Sequence, residues 1–138
     1  MTARPASHDG PAAPRPSDAP DVSALLGDWV NTDQRGPKGP LRLSVTRHDG
    51  GLAVRAFGTG SPQPRDWGEV PAVAYSAPGT PSVAWAFSAL YDFGSLRTVV
   101  CAYHKTGILV VTTSSVFRRG AGVDHWARSF YHRAKGRV

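Results

Sequence analysis

From Leu25 onward, short apolar or alternating runs recur between clusters of turn residues. They are too short for helices and too closely spaced for βαβ units. Eight runs read as strands: "LLGDWVN" (25–31), "PLRLSVTR" (40–47), "GLAVRAFG" (51–58), "EVPAVAYS" (69–76), "SVAWAFSALY" (82–91), "LRTVVCAYH" (96–104), "GILVVTTSSVF" (107–117) and "HWARSFYHR" (125–133). Between them lie "HDGG" (48–51), "PGTP" (78–81), "DFGS" (92–95) and "HKTG" (104–107), which carry the residues tight turns require. Sequential strands joined in this way pair with their neighbours. The pattern therefore predicts an all-β fold, an eight-stranded antiparallel up-and-down β-barrel with its first strand beside its last.

Alternation within the runs predicts their faces. In "SVAWAFSALY", Val83, Trp85, Phe87, Ala89 and Tyr91 fall on one face, opposite Ser82, Ala84, Ala86 and Ser88. In "HWARSFYHR", Trp126, Arg128, Phe130 and His132 oppose Ala127, Ser129, Tyr131 and Arg133. An aromatic face serves a cavity or a subunit interface equally well, which leaves a homodimer open. The side chains expected to contact a ligand in the lumen are Trp29, Asn31, Phe57, Trp67, Tyr75, Trp85, Phe87 and Trp126.

Composition sharpens this picture. One glutamate, three lysines and one methionine leave helix formers scarce, and 138 residues fit one domain. Residues 1–22, rich in Pro and Ala, are expected to be a disordered tail, with the barrel over 23–134 and a basic tail over 135–138. The abundance of Arg, Ala, Gly and Pro suits a GC-rich bacterial genome.

A net charge of +6 invites a nucleic-acid partner. The arginines are scattered, however, with only Arg118 and Arg119 adjacent, and no RNP, helix-turn-helix or zinc-finger pattern is present, so that partner is disfavoured. Cys101 is the single cysteine; it cannot form an intramolecular disulfide and is expected in the core. No apolar stretch resembles a signal peptide or approaches the ~18 residues of a membrane span, so a cytoplasmic protein without membrane partners is expected.

The stretch "GDWVNTD" (27–33) resembles the Gly-x-Trp that opens the calycins, the lipocalins and avidins. In those families the first-strand Trp plugs one end of an eight-stranded barrel and a basic residue of the last strand packs over it. The resemblance implies that Trp29 does the same beneath Arg128 or Arg133. "WVN" is also similar to the Trp-x-Asn of avidins, and "SVAW" falls where they place a biotin-stacking Trp, which matches Asn31 and Trp85. The avidin Tyr-x-Ser has no counterpart in "GLAVRAFG", nor the terminal Asp in "RSFYHR", so biotin is not the expected ligand. A second resemblance is to small uncharacterised bacterial proteins with a Trp-x-Asn-x-Asp start and a central Cys-x-Pro-x-x-Cys-Asp-Trp-Gly. Asn31, Asp33, Pro62, Asp66, Trp67 and Gly68 match, while Gly60 and Arg65 stand at the cysteine positions, which fits a reducing cytosol.

"RDWGEV" (65–70) sets two carboxylates around an indole just before a predicted strand. A carboxylate desolvated beside an indole can act as general acid or base, so Glu69 and Asp66 are catalytic candidates; the same residues could instead cap a turn and cover the barrel end. Among the strand tyrosines, Tyr103 is the candidate to donate to a developing enolate or carbonyl oxygen. The histidines lack metal-ligand spacing, and neither a Gly-x-Ser-x-Gly elbow nor a phosphate loop occurs. The expected function is binding of an apolar small molecule in the lumen, as a cofactor-free cyclase or isomerase of bacterial polyketide- or terpene-like metabolism. The alternative is a non-catalytic carrier or sensor.

Overall fold

The computed structural model of the protein describes residues 19–36, 38–60 and 63–134. A 3-10 turn (Ser23–Leu25) leads into eight strands: β1 (Gly27–Asn31), β2 (Arg42–His48), β3 (Gly51–Gly58), β4 (Arg65–Ala77), β5 (Thr80–Asp92), β6 (Leu96–Lys105), β7 (Ile108–Phe117) and β8 (His125–Arg133). Each pairs antiparallel with its neighbour in sequence. β1 also pairs with β8 through Trp29↔Arg133, Val30↔His132 and Asn31↔Tyr131, so the sheet closes into a barrel with no free edge. This is the expected all-β architecture. No helix of the described residues is long and apolar enough to cross a membrane.

Residues 1–18 and 135–138, the bulk of the two expected tails, lie outside the described residues. Asp21 and Val22 correct the boundary drawn at residue 22. Asp21 exchanges backbone hydrogen bonds with β5, donating to Ser82 and accepting from Ala84, and Val22 is buried. A Pro-rich composition hid this short bridge to Val83.

The connections sort by end. Three are two-residue hairpins at one end, after β2, β4 and β6. Two of these have both central residues at positive φ, Asp49 (45°) with Gly50 (79°) and Thr106 (52°) with Gly107 (81°), which matches the twist of the strands they join. The opposite end carries the remaining connections, 32–41, 59–64, 93–95 and 118–124.

Alternation sends Leu43, Val45, Val54, Phe87, Val100, Leu109, Val111 and Tyr131 into the barrel, where all are buried. Each such side chain stabilises the fold by about 1.5–3 kcal/mol relative to exposure. Two register shifts interrupt the alternation, one at Trp67 on β4, opposite Ala56 and Phe57, the other where β4 meets β5 near Tyr75 and Ser76. The second corrects the predicted face of β5: Phe87, Ala89 and Tyr91 point in, but the bulge turns Trp85 outward, leaving it 42% exposed beside a buried Ala84.

Candidate functional site

Trp29 forms the floor of the barrel at the hairpin end. It is fully buried, its Nε1 donates to the Leu25 carbonyl at 3.0 Å, and His104 meets its ring edge-on at 6.1 Å. The Arg133 guanidinium lies 4.4 Å from the indole centroid and donates to the carbonyls of Ala24 and Leu26 at 2.7 and 3.1 Å. Gly27 makes this possible. Its φ is +130°, and a β-carbon there would stand 3.2 Å from Arg133 Nε. Of the two arginines expected near Trp29, Arg133 takes the place, while Arg128 lies outside over the Phe130 ring.

The other end opens into a cavity of about 610 Å³. One wall is aromatic, formed by Trp67 and Phe93, and the other presents the hydroxyls of Thr98, Thr113 and Ser115, with Phe117 beyond them at the end of β7. Lys38, Arg65, Asp66 and His125 stand around the rim.

Local geometry explains how "DWG" aims the indole. Asp66 Oδ1 accepts from the Gly68 N–H at 2.8 Å, and Gly68 turns the chain at φ 92°, a conformation that favours glycine. The bulge at Trp67, opposite Ala56 and Phe57, disrupts the ladder here, and Tyr91 closes the gap. Its hydroxyl accepts from the Ala56 N–H (3.1 Å) and lies 2.8 Å from the Gly68 carbonyl, to which it donates, with the Val54 carbonyl at 3.1 Å. Trp67 then packs edge-on against Tyr91 and Phe93, with ring centroids 5.4 and 5.3 Å away. Its indole lies so close to Gly58 that a β-carbon there would meet Nε1 at 2.6 Å.

The hydroxyl wall is equally ordered. Thr98 and Ser115 pair at 2.9 Å between β6 and β7, and Thr113 and Ser129 are buried beside them. Beneath the loop 32–41, Tyr131 donates to the Pro40 carbonyl, and Asn31 donates to the same carbonyl at 3.2 Å while accepting from the Asp33 N–H at 2.9 Å.

These bonds fix the acid–base chemistry of the mouth. Burial pushes the Tyr91 phenol up to about 12 and the Tyr131 phenol higher still, so both stay protonated and engaged with backbone. Arg55 pairs with Asp66 outside the rim, with Nε 3.1 Å from both carboxylate oxygens, and together with the Gly68 N–H holds this carboxyl below its ordinary range. Asp66 is thus a fixed anion and a strand partner. His125 Nδ1 lies 3.1 Å from the Val123 carbonyl; donation there leaves Nε2 as an acceptor. No group of three His, Cys, Asp or Glu side chains among the described residues could hold a metal ion.

The residues expected to form one site are dispersed. Only Trp67 and Asp66 border the cavity, and Phe87 is packed in the core below it. Trp29 and Asn31 are buried and structural. Phe57 lies outside, covered by Arg42, because β3 alternates without interruption and sends Val54 and Ala56 inward. Glu69 is exposed opposite Arg55 on the outer wall, since β4 begins at Arg65 and "RDWGEV" is strand rather than approach to one. Tyr75, Trp85, Tyr103 and Trp126 are also exposed on the outside. Tyr75 bonds Ser88 Oγ there at 2.7 Å, and Trp85 packs edge-on against Tyr103 at 5.7 Å. Cys101, expected in the core, is exposed on that face as well.

Phe93, Phe117, Thr98, Thr113, Ser115 and His125 were not anticipated from their residue types. Their shared signal is position, since all lie toward the strand ends joined by the longer connections.

No family model matches the chain, and neither a curated protein nor a solved structure is significantly similar to it.

Proposed function

We propose that this chain is a small-molecule-binding barrel of the calycin kind, which holds a largely apolar ligand in its open mouth as a carrier or sensor. The supporting observation is the divided lining of the 610 Å³ cavity, aromatic on one wall and hydroxylic on the other, a size and character suited to a small ligand. Such a lining fits a flat or polyene-like body, of the polyketide or terpene type, with hydrogen-bonding groups along one edge. Lys38 and Arg65 at the rim favour an acidic group at its outer end. The Gly27-x-Trp29 floor beneath Arg133 supports the calycin affinity. Carriage is favoured over turnover because the inward phenols and the rim carboxylate are committed to structure. A cyclase or isomerase would rest on His125 as its general base.

Titration with 1-anilinonaphthalene-8-sulfonate, an aromatic anion, tests the reading by fluorescence. Trp67→Ala and Thr98→Val are expected to weaken binding at least ~10-fold, equivalent to about 1.4 kcal/mol. Trp126→Ala, on the outer wall, is expected to leave it unchanged. Equal loss in Trp126→Ala, or none in Trp67→Ala, would place the probe elsewhere and defeat the proposal.

A further inference from the structure

We propose that the mouth end of the barrel docks peripherally on an anionic lipid bilayer, with the β7–β8 connection as its point of contact. The inference concerns the rim, and it holds whatever the cavity contains. It starts from the charges of the two ends. At the hairpin end Arg47, Lys105 and Arg133 are matched in number by Asp21, Asp28 and Asp49. At the mouth, Arg35 and Lys38 lie in the connection 32–41, Arg42 and Arg65 open β2 and β4, Arg97 is the second residue of β6, and Arg118 and Arg119 begin the connection 118–124. Among the described residues four carboxylates stand with these seven cations: Asp33, Asp66, Asp92 and Asp124.

What each charge bonds to widens the imbalance. All four carboxylates turn toward the chain's own backbone. Asp33 accepts from the N–H groups of Arg35 and Gly36 at 3.2 and 3.1 Å, Asp66 from Gly68 at 2.8 Å, Asp92 from Gly94 at 2.9 Å and Asp124 from Phe117 at 2.9 Å. Arg35, Lys38, Arg65 and Arg119 are exposed and make neither an ion pair nor a side-chain hydrogen bond among the described residues. The field outside the mouth is therefore positive, and its complement is a negatively charged surface.

Apolar side chains set within that field decide which kind of surface. Val123 is 83% exposed, Val116 and Trp126 on either side of it in the chain are 55 and 62% exposed, and Phe93 on the neighbouring connection is 40% exposed. The loop that carries Val123 is firmly built. The Ala121 N–H closes a turn onto the Arg118 carbonyl at 2.9 Å with Gly120 at φ 77°, and a β-carbon on Gly122 would meet the Phe117 ring at 2.7 Å. The Arg118 N–H donates to the Ser95 carbonyl at 2.9 Å and its guanidinium to the Gly94 carbonyl, which ties this connection to the one bearing Phe93. Val123 is thus held outward on the same loop as Arg118 and Arg119. Its methyl groups gain nothing from the phosphates of a nucleic acid. At a bilayer surface they enter the acyl boundary, while arginines meet the lipid phosphates and the Trp126 indole suits the headgroup level. The lack of an apolar span in the sequence argued against a membrane partner, but a peripheral contact needs no span. Docked in this way, the cavity opens toward the lipid.

Co-sedimentation of the full chain with phosphatidylcholine vesicles holding about one-third phosphatidylglycerol tests the proposal, with pure phosphatidylcholine vesicles beside them. The protein is expected to pellet with the anionic vesicles at least ~10-fold more strongly than with the neutral ones, and to be released as salt rises. Val123→Ser, which leaves the charge unchanged, should weaken the partition at least ~3-fold, and Arg119→Glu/Val123→Asp at least ~10-fold. Lys105→Glu/Thr46→Asp changes the net charge equally at the hairpin end and should keep the partition within about twofold of the parent. All four positions are exposed, so the circular dichroism spectrum should be the same in every variant. A chain that does not bind anionic vesicles overturns the proposal, as do two double variants that lose binding equally. So does full binding by Val123→Ser, which would reduce the contact to bulk charge of the kind that any polyanion, duplex DNA included, satisfies.

Discussion

The two ends of the barrel are built from the same eight strands yet finished in opposite ways. At the hairpin end, turns of two residues, a buried Trp29 and the Arg133 clasp leave little space, and the polar groups meet within the chain: indole N–H to Leu25, guanidinium to Ala24 and Leu26. At the mouth, longer connections spread apart and a cavity remains between Trp67 and the Thr98–Ser115 pair. The difference teaches where specificity can reside. A change at the floor should act on the whole fold, whereas a change at the mouth should act on what the fold holds.

Trp29→Ala should break the floor most severely. Loss of a fully buried indole is expected to destabilise the protein by about 3–5 kcal/mol, read from urea unfolding, and a smaller loss would mean that the clasp of Arg133 suffices without its plug. Alkali should attack the mouth scaffold next. The Tyr91 phenol is raised in the folded state, so its stabilising contribution is complete below its unfolded pKa near 10 and disappears as pH climbs toward about 12. Across that interval Tyr91 alone should cost about 2–3 kcal/mol, and Tyr131, shifted in the same direction, adds to the loss. Tyr91→Phe should flatten the profile; an unchanged profile would dissociate Tyr91 from it.

Gly58→Ala separates the two ends more finely. The added methyl meets the Trp67 indole, which must move, at an expected cost of about 1–3 kcal/mol and a clear loss of probe affinity. Unaltered affinity would show that the indole's position does not matter to binding. The smallest effect should be a gain at the floor end. Thr106 holds φ at 52° with a β-branched side chain, so Thr106→Asn is expected to stabilise by about 0.5–1 kcal/mol in thermal melts.

How much of this could be read from the chain alone depended on whether local or non-local order decided it. Seven of the eight strands were legible within about two residues because glycine and asparagine-like turn chemistry punctuates a period-two pattern. Gly27, Trp29 and the basic last strand also pointed correctly to the floor. The bulges were not legible, and each one shifts everything beyond it to the other face. Trp85 therefore lies outside, whereas Phe57 lies outside by the plain alternation of β3 with Val54 and Ala56. Trp126 failed differently: the alternation of β8 was correct, but choosing which of its two faces is the inside requires knowledge of what the other strands send there. The cavity's hydroxyls were missed because Thr98 and Ser115 are ordinary strand residues until β6 and β7 align them.

The contact of Asn31 with Tyr131 joins positions 100 residues apart in sequence, and it lies in the seam between β1 and β8, which no hairpin between adjacent strands forms. The pairings of β1 through β8 in sequence can grow by zipping from the turn that joins each pair, but this one requires a long chain segment to return to its origin. That predicts the kinetics of ring closure: with a curled seven-pair sheet assembled first, the search by which β8 finds β1 is expected to limit the folding rate. In reverse, the three-residue seam is the natural first point of opening, so amide hydrogens of β1 and β8 should exchange before those of β6 and β7, whose pairing runs unbroken over the length of both strands.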